Sequence, residues 1–157
     1  MKLEYLAHNK QTIPTIAQWY YEQWGDLDKE FTLYNFTEKL FEYLNTDKIP
    51  LMIVAIEDRE VIGVAQLKYR EMEIYPEKEH WLGGVYVSQL HRGKNIAEKI
   101  IQKIISDAEK FKVHTLYLQT FNLTGGLYRR LGWQPIEKAL NHGKNVLIME
   151  KKIIKHN

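Results

Sequence analysis

The sequence predicts a mixed α/β (α+β) domain with helices on both faces of a mixed sheet, and three observations lead there. The first is the order of periodic segments, β-α-α-β-β-β-α-β-α-β-β, which needs such a sheet. The second is that two neighbouring strand segments, 51–56 and 61–67, are apolar almost throughout rather than alternating, as strands buried on both faces are. The third is size and composition: 157 residues, 45% hydrophobic and 27% charged, fit one ordinary globular domain spanning 1–157.

The elements follow in order. Leu3 to Ala7 alternates as a strand and ends at the His8-Asn9-Lys10 turn. Thr12, with Pro14 near the first turn, introduces a helix bearing Ile13, Ile16, Ala17, Tyr20 and Trp24 and stopped at Gly25. Residues 26–31 read as loop. Phe36, Leu40, Phe41 and Leu44 recur at helical spacing, which predicts a second helix over 35–44, and Pro50 then breaks the chain. Strands 51–56 and 61–67 form a hairpin around Glu57-Asp58-Arg59-Glu60. Residues 71–80, with Pro76, read as an exposed loop before a fourth strand, Trp81 to Val87, where Gly83-Gly84 suggests a bulge or splay. Ile96, Ile100, Ile104 and Ala108 form one stripe of a helix over 95–110. A strand at 115–120, a short helix at 127–131 ended by Gly132, and two strands at 134–140 and 145–153 around Asn141-His142-Gly143-Lys144 complete the chain.

Composition excludes several functions. A formal charge of +2 is too small to hold a polyanion by bulk attraction, so no nucleic-acid partner is expected and any anion site must be local. With no cysteine, disulfides, thiolate metal sites and thiol nucleophiles are excluded together. His8, His91, His114, His142 and His156 show no ligand spacing, and no metal is expected. The longest apolar run, 51–56, falls far short of the ~20 residues of a bilayer span, and the N-terminus lacks the apolar core of a secretory signal, so the expected location is cytoplasmic, away from membranes.

The stretch from Val85, Tyr86 and Val87 through Arg92-Gly93-Lys94-Asn95-Ile96-Ala97-Glu98 is a strand, a basic glycine-bearing turn and a helix start. Such a layout binds anions, because the first amides of a helix lack intrahelical partners and sit at the positive end of the macrodipole. Gly93 lets a ligand approach the backbone, Ala97 keeps the first turn open, and Arg92 and Lys94 add charge. Leu127-Tyr128-Arg129-Arg130-Leu131-Gly132-Trp133 places a tyrosine on a short helix after the next strand.

Together these two segments resemble the GCN5-related N-acetyltransferase (GNAT) superfamily, whose Gln/Arg-x-x-Gly-x-Gly/Ala motif stands here as Arg92 to Ala97 and whose Leu-Tyr-x-x-x-Gly-aromatic pattern stands as Leu127 to Trp133. The motif resemblance covers about residues 81–133, and the element order fits over nearly the whole chain. It implies a splayed sheet with acetyl-CoA between two central strands, its pyrophosphate on the amides of Arg92 to Glu98, and transfer of the acetyl group to a primary amine by direct attack on the thioester. The family's central glycine is Asn95 here, the non-glycine residue type that best tolerates left-handed angles.

In that frame the backbone N–H of Val87 is the natural oxyanion donor, a role typically worth about 2.7–4 kcal/mol. Tyr128 is the candidate acid for the departing thiolate, and Asn122 a candidate cofactor contact. Candidate bases are Glu22, Glu73 and His80, while Trp24, with Asp26 and Asp28, is placed to hold a cationic acceptor. The alternative is a non-catalytic acyl-CoA-binding or regulatory module. Open sheet edges allow a homodimer that nothing in the sequence specifies.

Overall fold

The expected element order is the one observed. The computed structural model describes residues 1–153. It contains strands β1 (Lys2–Tyr5), β2 (Leu51–Glu57), β3 (Glu60–Tyr69), β4 (His80–Val87), β5 (Thr115–Thr120), β6 (Gln134–Asn141) and β7 (Lys144–Lys152), with helices α1 (Ile13–Trp24), α2 (Leu33–Leu40), α3 (Ile96–Lys110) and α4 (Gly126–Arg130). The strands form one seven-stranded sheet in the order β1-β2-β3-β4-β5-β7-β6. Every neighbouring pair is antiparallel except β4 and β5.

The apolar run in β2 splits by strand alternation: Leu51, Ile53 and Ala55 face α3, whereas Met52 and Val54 face α1 and α2. On the first face Ile100, Ile101 and Ile104 of α3 are fully buried, and side chains of that size each contribute about 1.5–3 kcal/mol when taken from water. On the second face Ile13, Ile16, Ala17 and Tyr20 of α1 and Leu40 of α2 close the other layer. A third cluster, Met72, Trp81, Val146 and Ile148, fills the β5–β7 half of the sheet.

Several boundaries differ from the sequence reading for local reasons. The first strand ends at Tyr5, because Leu6–His8 is already a 3-10 turn. Thr12 precedes α1 without capping it; its hydroxyl donates to Asn9 O at 2.7 Å. The second helix starts at Leu33 rather than 35, since the Thr32 hydroxyl accepts from Asn35 N, and it tightens to a 3-10 turn at Phe41–Tyr43. The segment 71–80 is only partly an exposed loop: Met72 is buried, and Trp81 Nε1 donates back to Lys78 O at 2.7 Å.

Two irregularities in β4 shape the centre of the sheet. Gly83 pairs with Gln66 and Tyr86 with Val64, so β4 carries one more residue than β3 between those rungs, a bulge at Gly84-Val85. Gly84 has φ +57, and a Cβ there would lie 2.5 Å from Tyr20 Oη. Tyr20 Oη donates to Gly84 O at 2.7 Å, so α1 pins the bulge from the helix layer. Beyond the single rung Trp81–Tyr117, β4 and β5 stop pairing and diverge.

Candidate active site

The splay leaves backbone groups of β4 without a strand partner. Ser88 N donates to Ile62 O, and antiparallel alternation then turns the N–H of Val87 away from β3, toward the gap beside β5. The Val87 carbonyl points the same way and accepts from Arg92 Nε at 3.0 Å. Arg92 also lays its guanidinium over the Tyr86 ring, 5.3 Å from the centroid. The strand end and the basic turn are thus tied together before any ligand arrives.

The turn continues through Gly93, φ +80 with open space around it, to Asn95 at φ 60, ψ 25. Asn95 therefore occupies the left-handed position in which a glycine is the usual occupant, and its side chain makes no capping bond to α3. The residues that open α3 line a cleft of about 460 Å³. Val85, Tyr86, Val87, Arg92, Gly93, Asn95, Ile96, Ala97 and Glu98 line it, together with Trp24. Of the turn residues named from sequence, Lys94 is exposed and stands outside that lining.

Other sequence candidates fall elsewhere. Asn122 spends its side chain on the turn into α4, where Oδ1 accepts from Thr124 N at 3.1 Å and Thr124 Oγ1 at 2.6 Å. Glu22 is exposed on α1 and accepts from Gln18 Nε2 at 2.9 Å. Glu73 is exposed, and His80 starts β4 with Nε2 3.8 Å from Glu79 Oε1, its pKa lowered chiefly by burial. None of these four lines the cleft.

Tyr128 sits on α4 in a T-shaped contact with Trp133, ring centroids 6.3 Å apart, and is not among the residues that line the cleft. Burial, with a further push from the charge of Glu71, raises its hydroxyl to about 12, so it is a neutral donor at any working pH. Glu71 was not singled out from the sequence. Its carboxylate is half-buried and meets Lys68 Nζ at 3.4 Å. Burial alone pulls the Lys68 ammonium down, but Glu71 and Tyr43 outweigh it, and the net shift is upward.

The cleft also includes Gln23, His91, Leu127 and Arg130. Arg130 was legible in principle, lying three residues after Leu127 and so on the same helix face. His91 is held by Ser88 Oγ at 3.3 Å and Glu57 Oε2 at 3.7 Å, a contact from another hairpin with no sequence signal. Among the described residues no three His, Asp or Glu side chains come together as a metal site, and no helix is long and apolar enough to cross a membrane. His156 lies outside the described residues.

No curated protein matches the chain. The fold is similar to an aminoglycoside 6'-N-acetyltransferase complexed with coenzyme A (15% identity, 100% of this chain and 99% of that one, TM-score 0.78). It is also similar to a ribosomal-protein-alanine N-acetyltransferase from Brucella melitensis (20% identity, 97% and 99%, TM-score 0.75) and to an aminoglycoside 6'-acetyltransferase type Ii (16% identity, 100% of both chains, TM-score 0.77). Residues 13–133 match the acetyltransferase (GNAT) family across the bulged strand, the basic turn and the Leu-Tyr helix just described, and the chain belongs to that family.

Proposed function

We propose that the chain is an acetyl-CoA-dependent N-acetyltransferase that moves an acetyl group to a primary amine by direct attack on the thioester. The observation that carries this reading is the unpaired Val87 N–H, turned into the β4–β5 gap directly beside the uncapped start of α3. One end of the gap offers amides and Arg92 to a pyrophosphate, and the other offers a fixed dipole to a carbonyl oxygen. Two of the similar structures act on aminoglycosides and one on a ribosomal-protein alanine by their names, and these acceptors share a primary amine.

Bound acetyl-CoA supplies the activated acyl group; the chain's residues orient it and manage charge and protons. The amides of Gly93 to Glu98 hold the pyrophosphate, with Arg92 and Lys94 adding charge-assisted contacts at the rim. Val87 N–H stabilises the negative charge that develops on the acyl oxygen. Tyr128 Oη donates to the departing sulfur. Because its pKa stands near 12, above a thiol's ordinary value of about 8.5, it stabilises the departing thiolate as a hydrogen-bond donor and keeps its proton, and water protonates the released sulfur.

Calorimetry with CoA and thiol release from acetyl-CoA in the presence of primary amines test the proposal. Binding followed by amine-dependent release is the expected result. Binding without turnover of any amine supports a non-catalytic acyl-CoA module instead, and no binding at millimolar CoA by folded protein overturns both.

A further inference from the structure

The turn that opens α3 carries two cations, and the fold treats them differently. Arg92 and Lys94 are both exposed, and neither forms an ion pair among the described residues. The Lys94 side chain has no hydrogen-bond partner among those residues and stands outside the cleft lining. Arg92 lines the cleft and is oriented. Its Nε donates to Val87 O at 3.0 Å, and its guanidinium lies 5.3 Å from the centroid of the Tyr86 ring, which leaves the terminal nitrogens available to an anion.

The ring that carries Arg92 is itself held from the helix layer. Trp19 of α1 stacks on Tyr86, with centroids 5.0 Å apart and planes 25° from parallel. Both rings are half-buried and pack against the core cluster that α1 and α2 close over the sheet. The next residue of α1, Tyr20, donates to Gly84 O at 2.7 Å, so consecutive α1 residues hold β4 at Tyr86 and at Gly84. An exposed arginine samples many rotamers, and ordering it on a ligand costs entropy. A ring that already holds the planar fork removes part of that cost before the ligand arrives.

We infer that Trp19 and Tyr86 are positioning residues for the cofactor: the stacked pair holds the Arg92 guanidinium in the cleft wall so that its terminal N–H groups meet the pyrophosphate of CoA. The inference rests on the acetyl-CoA reading above and adds to it two side chains that act through Arg92. Lys94, equal in charge but unheld, contributes the smaller share of the binding. The role concerns affinity alone, since no bond is made or broken at this end of the cleft.

Calorimetry of the full chain with CoA tests the coupling through a double-mutant cycle. Tyr86→Leu is expected to weaken CoA by about 3- to 10-fold, and Tyr86→Phe, which keeps the ring face, by less than about 2-fold. In an Arg92→Gln background Tyr86→Leu should add less than about 1.5-fold, because the group it positions is gone. Trp19→Leu should weaken CoA by a smaller factor, and again only while Arg92 is present. Arg92→Lys reads the same role at an exposed side chain: it keeps the charge, loses the planar fork, and should weaken CoA more than Lys94→Ala does. If Tyr86→Leu weakens CoA equally in both backgrounds, or keeps the parental Kd, the positioning role is overturned and the acetyl-CoA reading stands. Parental Kd for Arg92→Lys overturns it as well, whether or not Tyr86→Leu folds. If the folded parent binds no CoA at millimolar concentration, the underlying reading falls and the positioning role with it.

Discussion

The two sides of the β4–β5 gap are built by different means. On the α3 side, the groups that line the cleft come largely from one continuous stretch, Val85 to Glu98, and much of what they offer is main chain. On the α1 side, the polar groups come from the β3–β4 connection, β5 and a helix more than sixty residues upstream, and apart from the Gly84 carbonyl of the bulge they are side chains. A phosphate binds any run of amides with the right curvature, so its site is local in sequence. An amine acceptor must be told from water and from other cations, which requires side chains converging from several elements.

The sharpest way to break the distinction is at the residue shared by both sides. Gly84→Ala places a Cβ at φ +57 and 2.5 Å from Tyr20 Oη, and is expected to cost about 2–4 kcal/mol from left-handed strain and overpacking, read by urea denaturation. A shift below about 1 kcal/mol would mean that the bulge is not pinned by Tyr20.

Next is the Tyr128 hydroxyl. Tyr128→Phe is expected to lower kcat by about 10-fold or more while CoA affinity stays within a few-fold, measured by thiol release under conditions where chemistry limits the rate. Parental kcat would show that Tyr128 gives the departing sulfur no hydrogen bond.

A smaller effect sharpens the local character of the α3 side. Asn95→Gly should bind CoA as well as the parent or better, whereas Asn95→Val should lose about 1–2 kcal/mol, because a β-branched side chain resists φ 60. Equal calorimetric affinity for Gly and Val would show that the turn's geometry does not govern the phosphate site.

The smallest effect is a pH dependence. Tyr128 holds its proton in the folded protein up to about pH 12, against about 10 when unfolded, so the unfolded state releases protons first. Its contribution to stability is complete below pH 10 and is lost as pH rises toward 12. Thermal melts between pH 8 and 11.5 should fall less steeply for Tyr128→Phe than for the parent. Tyr20 and Tyr43, also raised by burial, keep a residual slope in both.

By itself the sequence determined the strand and helix order, the two-faced burial of 51–56, the glycine irregularity in β4 and the basic turn at α3. Each of these depends on residues close together in the chain, through periodicity, backbone freedom or the unsatisfied amides of a helix start. Even Asn95 was readable, because a left-handed position narrows the choice of residue. Tertiary structure alone decided which carboxylate packs against β4. Glu71 and Glu73 are chemically equivalent in sequence and two residues apart, yet one is held over Gly83 by Lys68 and the other is exposed. It also decided that Tyr20, periodic on α1 like any core residue, spends its hydroxyl on Gly84 O, and that Gln119 is left with a buried oxygen. The physical reason is that such contacts are made where separate elements meet. Their geometry is set by sheet register and helix docking, which pattern within a single segment does not contain.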